Sequence, residues 1–240
     1  MRPSGARAYA SEFIGTALLL TAIVGSGIMG DRLSGGNTGL ALLANSLATG
    51  AGLIALILTF GPVSGAHFNP AVSIAVAWEG GLAWATATRY VLAQMSGAVS
   101  GVVVAHAMFG EPLLMASHHA RSGWPQAMSE AVATFGLLSV IWGCGRHRSS
   151  AVPFAVGTYI TAAYWFTAST SFANPAVTLA RAASDTFAGI RPADAPGFIV
   201  AQLAGAAAAT ALFRWLVPSL PKDAENVVVP HVRSESTHAR

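Results

Sequence analysis

Ser64-Gly65-Ala66-His67-Phe68-Asn69-Pro70-Ala71 and Thr170-Ser171-Phe172-Ala173-Asn174-Pro175-Ala176 end on the same tripeptide, and their reading decides the fold. Asparagine is a preferred helix N-cap and proline a preferred first helical residue. Asn69-Pro70-Ala71 and Asn174-Pro175-Ala176 therefore each start a helix. Each of these helices should run for about 10 residues, or about 15 Å, which is half of a hydrocarbon core about 30 Å thick. Two such half-helices meeting head to head make one span.

The setting is a bilayer. Of the 240 residues, 53% are hydrophobic and only 10% charged, and the mean hydropathy is +0.55. Runs with few or no charges lie near 9–30, 39–61, 85–109, 126–144, 151–168 and 196–217. They read as six transmembrane helices, with one triplet segment after the second and one after the fifth. The expected fold is thus an all-α membrane protein of six transmembrane helices plus two re-entrant half-helices. The apolar run after Met1-Arg2-Pro3-Ser4 continues past the length of a signal core, so no signal peptide is expected.

The basic excess is sparse and follows topology, which argues against a nucleic-acid partner. With six helices both termini share a side, and Arg2, Arg7, Arg89, Arg146, Arg148, Arg214, Lys222, Arg233 and Arg240 fall on it. Arg32, Arg121, Arg181 and Arg191 fall opposite. The richer side is the cytoplasm by the positive-inside rule, which places the protein in the cell membrane with both termini inside. Residues 1–8 are then a cytoplasmic N-terminus, 9–217 a channel domain, and the polar stretch 218–240 a disordered cytoplasmic tail.

The channel domain repeats itself over about 9–110 and 126–217. Ser11-Glu12 opens the first helix and Ser129-Glu130 the fourth, and Asn69 matches Asn174. The longest correspondence sets Tyr90-Val91-Leu92-Ala93-Gln94-Met95-Ser96-Gly97-Ala98 against Phe198-Ile199-Val200-Ala201-Gln202-Leu203-Ala204-Gly205-Ala206. Each half holds three full spans, an odd number, so the second half lies inverted relative to the first. In such repeats the functional site sits at the midplane, where broken helices meet.

Irregular backbone at membrane depth is tolerated where it lines a cavity or is buried in protein. Residues 64–68 and 170–173 should run extended and present carbonyl acceptors along a pore wall. Asn69 and Asn174 would cap their own helices through oxygen and donate to a passing solute through nitrogen. Both half-helices aim positive ends at one spot, which disfavours protons and cations and leaves a neutral hydroxylated solute free to pass.

The doubled triplet, with Glu12, Glu130, Gln94 and Gln202 at matching places, resembles the aquaporins and aquaglyceroporins, the major intrinsic proteins, over about Ala8 to Val217. The resemblance implies a homotetramer in the lipid bilayer, with one pore per subunit for small neutral solutes. It implies that Glu12 braces the loop around His67 and that Glu130 braces the loop around Ser171. A buried carboxylate is expensive and marks function or pairing, although Glu12 near a helix start is also compatible with an interfacial side chain. His67 is read chiefly as a bracing residue, with solute contact as the alternative.

The chain departs from the family pattern just after the second triplet, where most members carry arginine and this one has Val177. Ungapped counting puts Thr49, Ala162, Ser171 and Val177 at the family's constriction, a ring without aromatic or charged side chains and therefore wide. Arg181 lies one turn beyond Val177, where it either draws polar solutes into the outer vestibule or pairs with Asp185. Position 178 is threonine rather than the aspartate typical of glycerol facilitators. The stretch from Tyr164 to Thr178 resembles a bacterial subgroup associated with arsenic resistance, which implies polyols and metalloid hydroxides such as arsenite as solutes beside water. Trp165, Phe166 and Phe172 either wall the pore or face lipid and core.

Other classes fit less well. A water-selective aquaporin is the nearest alternative. An ion-coupled transporter would need an ionisable residue at mid-span, whereas the carboxylates here sit in matched pairs near helix starts. Cys144 is the single cysteine, and no His, Asp, Glu or Cys group has metal-ligand or catalytic spacing, so no cofactor, metal or enzymatic activity is expected. His118-His119 reads as a loop in water.

Overall fold

The computed structural model describes residues 5–147 and 149–217. Its elements are α1 Gly5–Leu33, α2 Thr38–Ser64, α3 Pro70–Trp78, α4 Trp84–Phe109, α5 Trp124–His147, α6 Val152–Phe166, α7 Pro175–Arg181 and α8 Ala195–Leu216. A short 3-10 turn, Ser149–Ala151, precedes α6. Among the described residues there is no strand. Arg2, Arg148, Lys222, Arg233, Arg240 and the tail read at 218–240 lie outside them, as does the side chain of Arg146.

Among the described residues five helices, α1, α2, α4, α5 and α8, are long and apolar enough to cross a membrane. The span expected at 151–168 is shorter than that. α6 has 15 residues, about 22 Å. Thr167 leaves the helix with extended backbone (φ −111°, ψ 138°), because the chain turns there into the second re-entrant loop. The second half-helix is also shorter than expected, since α7 stops after 7 residues and α3 after 9.

The inverted repeat is visible in the packing. α1 packs on α2 and α4, α5 packs on α6 and α8, and α2 meets α6 between the halves. Two glycine pairs make these approaches possible. A Cβ at Gly97 would clash with the carbonyl of Phe13, and one at Gly205 with the carbonyl of Ala131, each the residue after the paired glutamate. At the α2–α6 crossing a Cβ on Gly50 would stand 2.8 Å from Gly157 O, and one on Gly157 would stand 2.6 Å from Gly50 O. That reciprocal contact marks the pseudo-two-fold axis. Lipid supplies no apolar driving force between helices, so close backbone contact through small residues takes its place. Large apolar side chains point outward instead, Leu92 at 64% and Val200 at 68% exposure.

Gly205→Ala should lower the unfolding temperature in detergent, with an overpacking penalty of about 1–3 kcal/mol. Gly197→Ala, on the same helix with open space around it, should not lower it. Equal melting of the two variants would show that the Gly205 contact does not limit the packing.

Candidate functional site

Both triplets build the helix starts that their residue types specify. Asn69 (φ −152°, ψ 118°) and Asn174 (φ −158°, ψ 114°) are extended N-caps, and Pro70 and Pro175 open α3 and α7. Asn69 Oδ1 accepts from Ala71 N at 2.9 Å, and Asn174 Oδ1 accepts from Ala176 N at 2.9 Å and Val177 N at 3.3 Å. The amide nitrogens cross over. Asn69 Nδ2 donates to Ala173 O and Asn174 Nδ2 donates to Phe68 O, both at 2.8 Å. The sequence reading gave these nitrogens to a solute. In the structure one hydrogen of each ties the two half-helices together, and only the second is left for the cavity that both asparagines line.

The loops before the triplets are not plainly extended, as expected from sequence, but turn through left-handed backbone at matched places. Gly65, Ala66 and Phe68 have φ of 88°, 49° and 49°, and Thr170, Ser171 and Ala173 have 61°, 51° and 48°. Left-handed backbone costs a residue other than glycine roughly 1–3 kcal/mol and persists only where surroundings enforce it. The two glutamates supply that enforcement. Glu12 Oε1 accepts from His67 N at 3.0 Å and Ser64 Oγ at 2.6 Å, and Oε2 accepts from Phe68 N at 2.7 Å. Glu130 accepts from Phe172 N and Ala173 N, both at 2.9 Å. Both carboxylates are fully buried, and hydrogen bonds to charged groups are worth about 1.5–3 kcal/mol each, enough to offset the loop strain.

Sequence reasoning used Gln94 and Gln202 only as markers of the repeat, and the structure gives them a position in the site. Gln94 Nε2 donates to Glu12 Oε2 at 2.8 Å and to Ser73 Oγ at 2.9 Å. Gln202 Nε2 donates to Glu130 Oε2 at 2.6 Å and to Thr178 Oγ1 at 2.8 Å. Each glutamine thus joins a long helix to a carboxylate and a half-helix. His67 Nδ1 bonds Ser73 Oγ at 3.0 Å, and its ring stands edge-on to Tyr90, so it joins this network while also lining the cavity. A glutamine buried in mid-helix, matched across the repeat, was the available signal.

A central cavity passes Asn69 and Asn174, and its lining includes Thr49, Ser171, Val177 and Arg181. Ala162 does not belong to it. Ala162 is exposed on the outer face of α6, and Tyr164, two residues on, turns inward, with its hydroxyl 3.1 Å from Thr49 Oγ1. The ungapped count missed the register of α6: Tyr164 rather than Ala162 lines the cavity beside Thr49, so the wall there includes an aromatic side chain where none was expected. Phe172 also lines the cavity, whereas Trp165 and Phe166 are half exposed on the outside. The Arg181–Asp185 pairing is not formed. Asp185 instead accepts from His118 N at 2.8 Å and lies 2.9 Å from His118 Nδ1, bonds that hold its carboxyl below the usual carboxylate range. His118 itself is exposed in the loop.

Replacing Glu130 by Gln would set an NH₂ group against backbone donors. The variant should lose about 1–3 kcal/mol of stability and exchange the Phe172 and Ala173 amide hydrogens faster. Wild-type exchange at both amides would show that the carboxylate does not hold the loop.

The family model described as major intrinsic protein matches residues 1–168 and 144–239. The chain is 54% identical over 212 residues to Aquaglyceroporin AqpS of Rhizobium meliloti (strain 1021), covering 88% of this chain and 91% of that protein. It is 29% identical over 168 residues to the Glycerol uptake facilitator protein of Streptococcus pneumoniae (strain ATCC BAA-255 / R6), covering 62% of this chain and 70% of that protein. Among solved structures, the aquaglyceroporin from Plasmodium falciparum shares the fold with a TM-score of 0.71 at 21% identity, over 90% of this chain and 99% of that one. With family and relative agreeing across both repeats, the chain belongs to the major intrinsic protein family and is a multi-pass membrane channel for water and small solutes, not an enzyme.

Proposed function

We propose that the protein is an aquaglyceroporin-like channel, passing glycerol-like polyols and metalloid hydroxides such as arsenite down their gradients. The observation that carries this reading is the cavity wall at residue 177. Val177 lines the cavity where most family members present arginine, beside Thr49, Tyr164 and Ser171. A valine there leaves more width and one fewer fixed charge than arginine would, which favours larger neutral solutes. The name of the relative from Rhizobium meliloti, an aquaglyceroporin 54% identical to this chain, supports the same class. Trivalent arsenic hydroxide is uncharged at neutral pH and close to glycerol in size and hydroxyl content, so a lane built for one suits the other.

The residues assigned to the lane are Asn69, Pro70, Ala71, Asn174, Pro175 and Ala176 at the midplane and Thr49, Tyr164, Ser171 and Val177 at the constriction. Glu12, Glu130 and His67 brace the loops. The assembly proposed is a homotetramer in the cell membrane with both termini cytoplasmic. The channel domain is 9–217, in inverted halves of about 9–110 and 126–217.

The test uses purified protein in liposomes, with light scattering after osmotic challenge by an impermeant solute, glycerol, urea or arsenite. The wild type should pass water, glycerol and arsenite. Val177→Arg should reduce glycerol and arsenite permeability by on the order of tenfold more than water permeability, because a bulky cation narrows the lane. Equal slowing of all solutes, or intact glycerol flux, would remove Val177 as the residue that sets solute size. A wild type passing water alone would make the protein a water-selective aquaporin.

A further inference from the structure

Arg181 is 2% exposed, yet most of its hydrogen-bonding capacity is unused. Its Nε donates to Ala188 O in the middle of the following loop. Among the described residues, neither Nη group has an acceptor, and no carboxylate lies within ion-pair distance of the guanidinium. A buried charge normally finds a partner, and the Arg181 side chain lines the central cavity instead. Ser171 Oγ, in the same cavity wall, is also buried and has no partner among the described residues.

The guanidinium is held in place by a ring. Its Cζ stands 3.4 Å from the centroid of Phe172, whose ring packs edge-on against Phe198 at 5.2 Å and whose backbone N is held by Glu130. Arg121 approaches the same ring with Cζ at 5.2 Å. Arg121 is fixed by Gly189 O at 2.8 Å, Ser169 O at 3.2 Å and Thr170 Oγ1 at 3.5 Å. Two arginines that have no carboxylate partner among the described residues therefore flank one aromatic residue at the cavity wall, and the nearer one lines the cavity.

We propose that Arg181 is the charge selector of this channel, repelling cations while its free Nη groups, with Ser171 Oγ, offer hydrogen bonds to the hydroxyl oxygens of a neutral solute. Phe172 and Arg121 act as positioning residues. The assignment rests on the channel reading above and explains how a chain with valine at 177 keeps a fixed positive charge in its lane. That charge sits one helical turn farther along α7, so it excludes cations without closing the constriction at Val177. At the C-terminal end of a helix it is also favoured by the helix dipole.

The experiment uses the full chain in liposomes carrying a potassium diffusion potential and a trapped pH-sensitive dye, with glycerol flux measured on the same vesicles. Arg181→Leu should raise the ratio of proton conductance to glycerol permeability by at least about tenfold, as loss of a lane cation predicts. Arg181→Lys keeps the charge and should hold that ratio near the wild-type value, a rescue that a purely packing role would not produce. Phe172→Leu, with both arginines intact but the platform gone, should give an intermediate rise and serves if Arg181→Leu fails to fold. An unchanged ratio in Arg181→Leu, or in Phe172→Leu where only that variant folds, overturns the assignment. So does a lysine variant as leaky as the leucine one. A wild type without water or glycerol flux would instead overturn the channel reading itself.

Discussion

A carboxylate accepting from two successive loop amides is the interaction on which this structure depends. Glu12 takes the N–H groups of His67 and Phe68, and Glu130 takes those of Phe172 and Ala173. Those amides are turned onto fully buried carboxylates, so without Glu12 and Glu130 the loops would carry unpaired donors as well as left-handed backbone strain. A neutral acceptor would gain less from each bond, because charge-assisted hydrogen bonds are about twice as strong as neutral ones. The desolvation of each carboxylate is offset only because several donors converge on it, including the matched glutamine from α4 or α8.

With the loops fixed, the rest of the midplane follows. Each loop delivers its carbonyl, Phe68 O or Ala173 O, to the amide of the opposite asparagine, and each asparagine caps its own half-helix through oxygen. The halves are thereby joined by a reciprocal pair of bonds as well as by the Gly50–Gly157 crossing. Symmetry makes this economical. A geometry that works once works again inverted, and the breaks between half-helices fall where two loops meet rather than against lipid.

Much of this was legible in the sequence, because helix starts, apolar runs and the repeat are local patterns. Asn-Pro-Ala fixes a cap by residue type alone, and the matched Glu and Gln positions place the halves in register. What failed was anything depending on rotation about a helix axis. One residue of α6 is 100° from the next, so a small alignment error put Ala162, which faces outward, at the cavity wall in place of Tyr164, which lines it. The shortness of α6 and α7 was hidden for a related reason. Uncharged sequence continues past both helices, Thr167-Ala168-Ser169-Thr170 after α6 and Ala182-Ala183-Ser184 after α7, so no charge beyond either end marks the stop and tertiary contacts end the helix. The left-handed residues gave no signal, since Ala66, Phe68 and Ser171 have no preference for positive φ and are held there by distant carboxylates.

The two halves differ at one matched pair of cavity-lining residues, and the proposed selectivity rests on that difference. His67 and Phe172 occupy equivalent places, each with its N–H on a glutamate, but His67 bonds Ser73 while Phe172 stacks on Arg181. The first loop is therefore closed by a neutral hydrogen bond, and the second ends in an aromatic face carrying a cation. Such a face holds a guanidinium without neutralising it, whereas a carboxylate would fix the side chain and cancel its field. Fixing the charge through Phe172 thus separates two properties that a single arginine after the triplet would combine. In the proposed assignment width is set at Val177 and charge at Arg181, two separate residues of the cavity wall, so a change in one leaves the other in place.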